Sequence, residues 1–157
     1  MNYFRGRGSW DLRAAAFSGH STQLIRYIES IMEDAATTIR KFQSEGKNVS
    51  QFDYIVNMEN YNVVQQGCRQ CLPFYVTLVN SAESHYPNLA NKIWLINTPP
   101  IFQVVLRLLR PLMSPVTQEV VKVFGQDKVK WKKALIEIAD KSQLRPEYGG
   151  TFMQDKE

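Results

Sequence analysis

The chain has 157 residues, of which 44% are hydrophobic, 22% charged and 11% aromatic. This composition is typical of one folded globular domain, and it excludes a disordered tail and a repeat array. Nineteen basic and fifteen acidic residues leave a net charge of +4, a mild excess that suits an anionic surface but does not by itself decide a partner.

The first residues and the cysteines indicate a compartment. "MNYFRGRGSW" lacks the apolar core of a secretory signal, and no stretch of about 18 uncharged apolar residues follows. Cys68 and Cys71 are too few for a disulfide scaffold, so we expect buried or half-buried free thiols in a reducing compartment, the cytosol. "NYFRG" resembles the second half of a strand, so the start of that strand is expected to be missing.

The first half of the chain predicts helix, strand and helix. Residues 21–44 begin with a serine and carry apolar residues at three- and four-residue spacings, which predicts a long amphipathic helix. "FDYIVNM" (52–58) alternates with β-favouring residues and predicts a strand. Residues 63–85 carry the apolar stripe of another helix, irregular near Gly67 and Pro73.

The second half repeats this alternation. "KIWLIN" (92–97) is a short apolar run that predicts a strand covered on both faces. A helix is predicted at 99–113, a strand in "TQEVVKVFG" (117–125), and a helix with a basic first half in "DKVKWKKALIEIAD" (127–140). Such alternation predicts an α/β fold with a mostly parallel sheet, because parallel neighbours need long crossover connections.

The segment "PPIFQVVLRLLRPLM" (99–113) is unusual because it is apolar around most of its helical circumference. Its polar residues Gln103, Arg107 and Arg110 form one narrow ridge. A helix of about 13 residues spans roughly 20 Å, less than the roughly 30 Å hydrocarbon layer, so it cannot cross a membrane. It must be a core helix buried on two sides, lie on a bilayer, or cover an apolar ligand.

Residues 86–125, followed by 144–151, resemble the C-terminal half of a CRAL-TRIO domain, the lipid-binding fold of Sec-fourteen-like transfer proteins. Residues 10–35 and the strand near 55 fit the same domain more loosely. The motifs that carry the resemblance are Tyr86-Pro87, Asn97 with Pro99, Phe102, Arg110-Pro111-Leu112, Pro115 with Thr117, Gly125, and Tyr148-Gly149-Gly150.

The resemblance implies a single CRAL-TRIO domain over residues 1–157, without the helical lobe that usually precedes it. It implies a parallel sheet as floor, helices packed on it, and a mobile gate helix at about 99–113 over an apolar cavity. One hydrophobic lipid would be held there and exchanged with membranes, without catalysis or cofactor. The expected protein is a cytoplasmic monomer that visits membranes transiently and does not bind nucleic acid.

Candidate site residues follow from this resemblance and from the apolar pattern. The expected lipid-binding residues are Met58, Tyr61, Phe74, Leu78, Leu95, Phe102, Val105, Leu106, Leu109, Met113, Val120 and Lys122. The expected contacts of the gate with a membrane are Ile101, Leu108, Arg107, Arg110 and Leu112.

Two departures from the family pattern bear on the ligand. Phosphoinositide-transferring members have a glutamate after the Tyr-Pro and a lysine three residues after the turn threonine, where this chain has Asn88 and Val120. Lys122, on the same face of a strand as Val120, would compensate in part. A less polar guest is therefore expected, such as a tocopherol-, retinoid-, squalene- or sterol-like molecule, in preference to a phospholipid.

Other interpretations stay open. A domain of this family without transfer activity would serve as a membrane-associated interaction or regulatory module. "CRQC" (68–71) has the spacing of a thiol redox site, but one pair cannot complete a zinc site. "FRGRGSW" (4–10) lacks the ending of a phosphate loop, and "KVKWKK" (128–133) is typical of a solvated basic face. The sequence contains no nucleophile elbow and no zinc-protease motif.

Overall fold

The computed structural model describes residues 11–153, so "FRGRGSW" and the partial strand at 2–6 lie outside the described residues. The helices are α1 (Leu12–Phe17), α2 (Ser21–Ser44), α3 (Val63–Gln66), α4 (Leu72–His85), α5 (Phe102–Leu109), α6 (Pro115–Val120) and α7 (Lys128–Ile138). The strands are β1 (Phe52–Asn57), β2 (Ala90–Ile96) and β3 (Val121–Val123). Short 3-10 turns lie at Arg69–Cys71, Arg110–Leu112, Lys141–Gln143 and Pro146–Tyr148.

The three strands form one parallel sheet in the order β1-β2-β3. Each crossover contains helices, α3 and α4 between β1 and β2, then α5 and α6 between β2 and β3. The α/β architecture with a parallel sheet is therefore confirmed, and α2 has the predicted bounds.

The third strand is shorter than predicted, because residues 115–120 are helical. Ser114 caps α6, its hydroxyl accepting a hydrogen bond from the backbone N–H of Thr117 at 3.2 Å. Pro115 occupies the first turn, where its missing N–H costs nothing. A cap and a proline thus prevail over the β-branched composition, and only Val121–Val123 pair with β2.

The segment predicted as one irregular helix at 63–85 is divided into α3, a 3-10 turn and α4. Cys68 and Cys71 form a disulfide in this turn, so the expectation of free thiols is wrong for this structure. Cys71 is nevertheless buried, in a cluster with Leu12, Ile28 and Phe74. The break follows from Gly67 and Pro73, since neither favours a continuous helix.

The two faces of the sheet are covered differently. On one face Ile55, Trp94 and Ile96 pack with residues of α7 and of the C-terminal turns, including Trp131 and Leu135. We call this the α7 face of the sheet. Strand alternation places Tyr54, Val56, Ile93 and Leu95 on the opposite face, which we call the cavity face.

Candidate functional site

A largely apolar cavity of about 290 Å³ lies over the cavity face of the sheet. Strands β1 and β2 form its floor, α2 and α4 contribute walls, and α5 covers part of it. Its lining consists of Leu12, Ile28, Glu29, Met32, Tyr54, Val56, Asn57, Met58, Tyr61, Gln66, Phe74, Tyr75, Leu78, Val79, Ser81, Ala82, Tyr86, Ile93, Leu95, Phe102, Leu106, Leu109, Met113, Thr117 and Val121.

Helix α5 covers part of the cavity and carries apolar side chains on both of its sides. Leu106 lines the cavity and is 2% exposed, whereas Leu108 on the other side is 54% exposed. The buried side continues with Phe102, Val105 and Leu109. The exposed side also carries Ile101, Val104, Arg107, Arg110 and Leu112. The helix ends before Pro111, and its α-helical part is shorter than predicted.

Aromatic residues connect α5 to the rest of the cavity wall. The ring of Phe102 meets that of Tyr61 edge to face, with 5.2 Å between the centroids. Tyr75 of α4 packs against the same cluster of buried α5 residues. Burial raises the pKa of the phenols of Tyr61 and Tyr75, and also that of Tyr54 on β1. These phenols are therefore neutral at physiological pH.

One region of the lining is polar and lies between α2 and α4. The Ser81 hydroxyl donates a hydrogen bond to Oε1 of Glu29, and it lies 3.3 Å from Nδ1 of His85. The Tyr86 hydroxyl donates weakly to the backbone oxygen of Glu29 at 3.4 Å. Burial, with the nearby charges of Glu33 and Glu29, raises the pKa of Tyr86. We call Glu29, Ser81 and Tyr86 the polar end of the cavity.

The C-terminal end of the α5 segment is tied to α4 and α6. Oε1 of Glu83 accepts a hydrogen bond from the Ser114 backbone N–H. Nε2 of Gln118 donates to the backbone oxygens of Arg110 and Met113, at 3.0 and 3.1 Å. Side-chain hydrogen bonds thus hold the chain where it leaves the 3-10 turn.

Most of the predicted lipid-binding residues come together in this cavity. The lining includes Met58, Tyr61, Phe74, Leu78, Leu95, Phe102, Leu106, Leu109 and Met113. Val105 is buried beside them in the α5 cluster but does not contribute to the lining.

Val120 and Lys122 are absent from the lining, and the assumption that placed them together is wrong. Val120 is the last residue of α6, so strand alternation does not relate it to Lys122. Lys122 pairs in register with Trp94, whose side chain belongs to the α7 face of the sheet. The amine of Lys122 is therefore on the opposite face of the sheet from the cavity.

The sequence interpretation missed the polar end. Glu29 lies between Ile28 and Met32 on the apolar stripe of α2, and Ser81 continues the stripe of Phe74 and Leu78 on α4. A charged or hydroxyl residue within an apolar helical stripe is the signal that could have found them. Their proximity, 52 residues apart in the chain, is not visible in either stripe alone.

Residues 8–150 match the family model of the CRAL/TRIO domain. The chain belongs to the CRAL/TRIO family. Domains of this family generally bind lipophilic ligands and transfer them. The resemblance found in the motifs between Tyr86 and Gly150 is thereby confirmed.

Curated relatives of this CRAL/TRIO chain are longer proteins. "Protein ctg-1" of Caenorhabditis elegans is 22% identical over 150 residues, which cover 94% of this chain and 38% of the relative. The SEC14 cytosolic factor of Kluyveromyces lactis is 28% identical over 81 residues, or 52% of this chain and 26% of the relative. The chain thus spans less than half the length of either.

A solved structure shares the fold of this CRAL/TRIO chain. The crystal structure of Sfh5 superposes with a TM-score of 0.53 at 19% identity, covering 64% of this chain and 33% of that one. The likeness confirms the mixed α/β fold. Within residues 11–153, no helix is both long and apolar enough to cross a bilayer. The same range holds no cluster of three or more His, Cys, Asp or Glu residues suited to a metal ion.

Proposed function

We propose that this CRAL/TRIO domain binds a single hydrophobic lipid in its cavity and exchanges it with membranes. The observation that carries the proposal is an apolar cavity of about 290 Å³, with α5 across it. This volume lies near the lower limit of the roughly 300–1,000 Å³ typical of ligand sites, so a guest of one slender apolar chain suits it. Burying about 12 methylenes would supply on the order of 10 kcal/mol, which suffices to hold a lipid without covalent chemistry.

Residues 99–113 are proposed as the gate. Their buried side faces the guest when the gate is closed, and Pro99, Pro100 and Pro111 restrict the backbone at the two ends. If this segment swings away, Leu106 and Leu109 no longer cover the cavity. An open gate would then expose the lipid cavity to the membrane on which the domain is docked.

The exposed side of the gate suits docking on a bilayer. Ile101, Leu108 and Leu112 are each about half exposed, at 45%, 54% and 48%. Arg107 and Arg110 flank these residues and are exposed, so they can reach anionic head groups while the apolar side chains enter the interface. We therefore propose that the protein is a cytoplasmic monomer that associates with the membrane surface transiently and peripherally.

The guest is proposed to be a weakly polar lipid, in the class of tocopherol-, retinoid-, squalene- or sterol-like molecules. Within the described part of the chain, no lysine or arginine lines the cavity, so a phosphorylated head group would meet no positive charge there. Asn88 is exposed in the turn before β2, and Lys122 is on the opposite face of the sheet.

Identification of a bound lipid tests the proposal. The protein is purified without detergent, and organic extracts and native mass spectra are examined for a co-purified lipid. Uptake of a fluorescent lipid from a cyclodextrin carrier, and its delivery to vesicles, are then measured. One lipid per chain with measurable delivery would support the proposal. Repeated failure of both extraction and uptake would instead favour an interaction or regulatory module without transfer activity.

A further inference from the structure

We infer that the polar end of the cavity selects a lipid whose head group donates a hydrogen bond, an alcohol or an amine, and that it rejects lipids with carboxylate or phosphate heads. This inference rests on the proposed lipid binding and adds the chemical class of the head group. It concerns Glu29, Ser81 and Tyr86, where α2 and α4 meet at the cavity wall.

The polar end is built into the apolar lining. Glu29 is the only residue with a charged side chain in the cavity lining that residues 11–153 provide. Ser81 is 8% exposed, and its hydroxyl donates to the Glu29 carboxylate from the neighbouring helix. Ile28, Met32 and Leu78 neighbour Glu29 and Ser81 on the same two helices, and their apolar side chains also line the cavity. Glu29 is half-buried, so its carboxylate gives up part of its hydration, which costs free energy unless partners replace the water.

The available oxygens at this end are mainly acceptors. The Ser81 proton is directed to Glu29, and Nδ1 of His85 can contact one of the two Ser81 lone pairs, so the other lone pair remains for a ligand. The carboxylate has further lone pairs beyond the one that Ser81 uses. An incoming hydroxyl or ammonium group can therefore donate to either oxygen. A hydrogen bond to a charged acceptor contributes roughly 1.5–3 kcal/mol, more than one between neutral partners.

The same arrangement disfavours other head groups. A lipid carboxylate or phosphate would place a second negative charge beside Glu29, with no lysine or arginine among the described lining residues to balance it. A methyl ester has no proton to donate, so Glu29 would be further desolvated without a new partner. The head groups are therefore expected to rank with alcohol and amine above ester, and ester above acid.

A matched series of head groups on one tail tests this ranking. Dodecanol, dodecylamine, methyl dodecanoate and dodecanoic acid compete with the neutral probe N-phenylnaphthylamine for the intact protein at neutral pH. We expect the alcohol and the amine to bind roughly ten-fold or more tightly than the ester, and the acid to bind most weakly.

Glu29→Gln tests the assignment to this residue, since the amide keeps the shape and removes the charge. The amine should lose about ten-fold in affinity, and the acid should approach the ester. Glu137→Gln is the matched control, because Glu137 is exposed on α7, at the opposite face of the sheet from the cavity. It should leave all four affinities unchanged. Circular dichroism and a thermal melt establish that each variant folds.

The outcomes are separable. Equal binding of all four compounds, or an unchanged ranking in folded Glu29→Gln, overturns the head-group inference and leaves the proposed lipid binding standing. Binding of neither the probe nor any competitor overturns both. Should Glu29→Gln not fold, Glu29→Met decides, since it removes the charged acceptor and keeps an unbranched side chain of similar length: a loss of the preference for the amine over the acid supports the inference, and an unchanged preference overturns it.

Discussion

Glu83 of α4 accepts a hydrogen bond from the backbone N–H of Ser114, with 2.8 Å between Oε1 and N. Ser114 follows the gate segment and caps α6 through a hydrogen bond from Thr117. One carboxylate therefore fixes the point at which the proposed gate joins the rest of the domain. Hydrogen bonds from the Thr117 side chain and the Ser114 backbone hold the pKa of Glu83 below its ordinary value of 4.5.

Glu83→Gln is expected to loosen this end of the gate. The amide oxygen still accepts a hydrogen bond from Ser114, but without the added strength of a charged acceptor. Lipid exchange between vesicles should become faster, by a few-fold, while the affinity for the lipid changes little. Stopped-flow transfer of a fluorescent lipid measures the rate. An exchange rate identical to that of the unmodified protein would show that this contact does not control opening.

The lowered pKa of Glu83 also predicts a dependence of stability on pH. A carboxyl whose pKa is lower in the folded state stabilises the fold above the unfolded value, and this contribution is lost as the pH falls through the folded value. The difference in free energy of unfolding between the unmodified protein and Glu83→Gln should thus be constant near neutral pH and shrink below the ordinary value of 4.5. Urea titrations over this range measure it; a difference that grows on acidification contradicts the assignment.

Leu106 and Leu108 provide a matched pair on the two sides of α5. Leu106→Asp places a charge against the guest and should abolish lipid uptake, because Leu106 lines the cavity and is 2% exposed. Leu108→Asp changes a side chain that is 54% exposed, so uptake from cyclodextrin should persist while binding to anionic vesicles weakens.

Fluorescent-lipid uptake and vesicle co-sedimentation measure the two effects, with circular dichroism as the check of folding. Leu78→Trp is a second cavity variant that adds volume without charge, and it should also reduce uptake. Equal uptake by the unmodified protein and a folded Leu106→Asp would contradict the proposed gate.

A buried hydrogen-bonded chain connects α7 to the cavity floor. The indole Nε1 of Trp131 donates to Oδ1 of Asn97 at 3.0 Å, and Nδ2 of Asn97 donates to Oδ1 of Asn57 at 2.8 Å. Asn97 also has a φ of 54°, in the left-handed region that asparagine tolerates.

Asn97→Ala should therefore lower the free energy of unfolding by about 2–4 kcal/mol, because it leaves the buried indole N–H of Trp131 unpaired and strains the backbone. Asn97→Gly removes the same side chain but accepts the positive φ without strain, so it is expected to cost less. Chemical denaturation compares the two; a loss under about 1 kcal/mol for Asn97→Ala would contradict this account.

The two glycines of the Tyr-Gly-Gly motif differ in what they require. An added Cβ at Gly150 would lie 1.9 Å from the backbone oxygen of Leu144, a clash that side-chain rotation cannot relieve. Gly149 has a φ of 93°, but a Cβ there meets its nearest atom at an ordinary 3.4 Å. We expect Gly150→Ala to lower the free energy of unfolding by more than about 3 kcal/mol, and Gly149→Ala by about 1–2 kcal/mol. Thermal melts of both variants test the order, and the reverse order would refute it.

The amino-acid sequence alone determined the features that depend on short-range periodicity. The three- and four-residue spacing of apolar side chains defined α2 at Ser21–Ser44, alternation located β1, and a short continuous apolar run located β2. The motifs from Tyr86 to Gly150 were sufficient to identify the CRAL/TRIO family. The apolar stripes also predicted nine of the 25 described lining residues, from Met58 to Met113, because residues that avoid water face either a core or a cavity.

Only the tertiary structure decided which stripes meet. Glu29 and Ser81 are 52 positions apart, and their hydrogen bond exists because α2 packs against α4. The face of the sheet on which Lys122 lies depends on where α6 ends and β3 begins. Ser114 and Pro115 favour a helix at residues 115–120, although the β-branched residues there favour a strand. Periodicity describes one element at a time, whereas the polar end and the lining at α5 arise from contacts between elements distant in the chain.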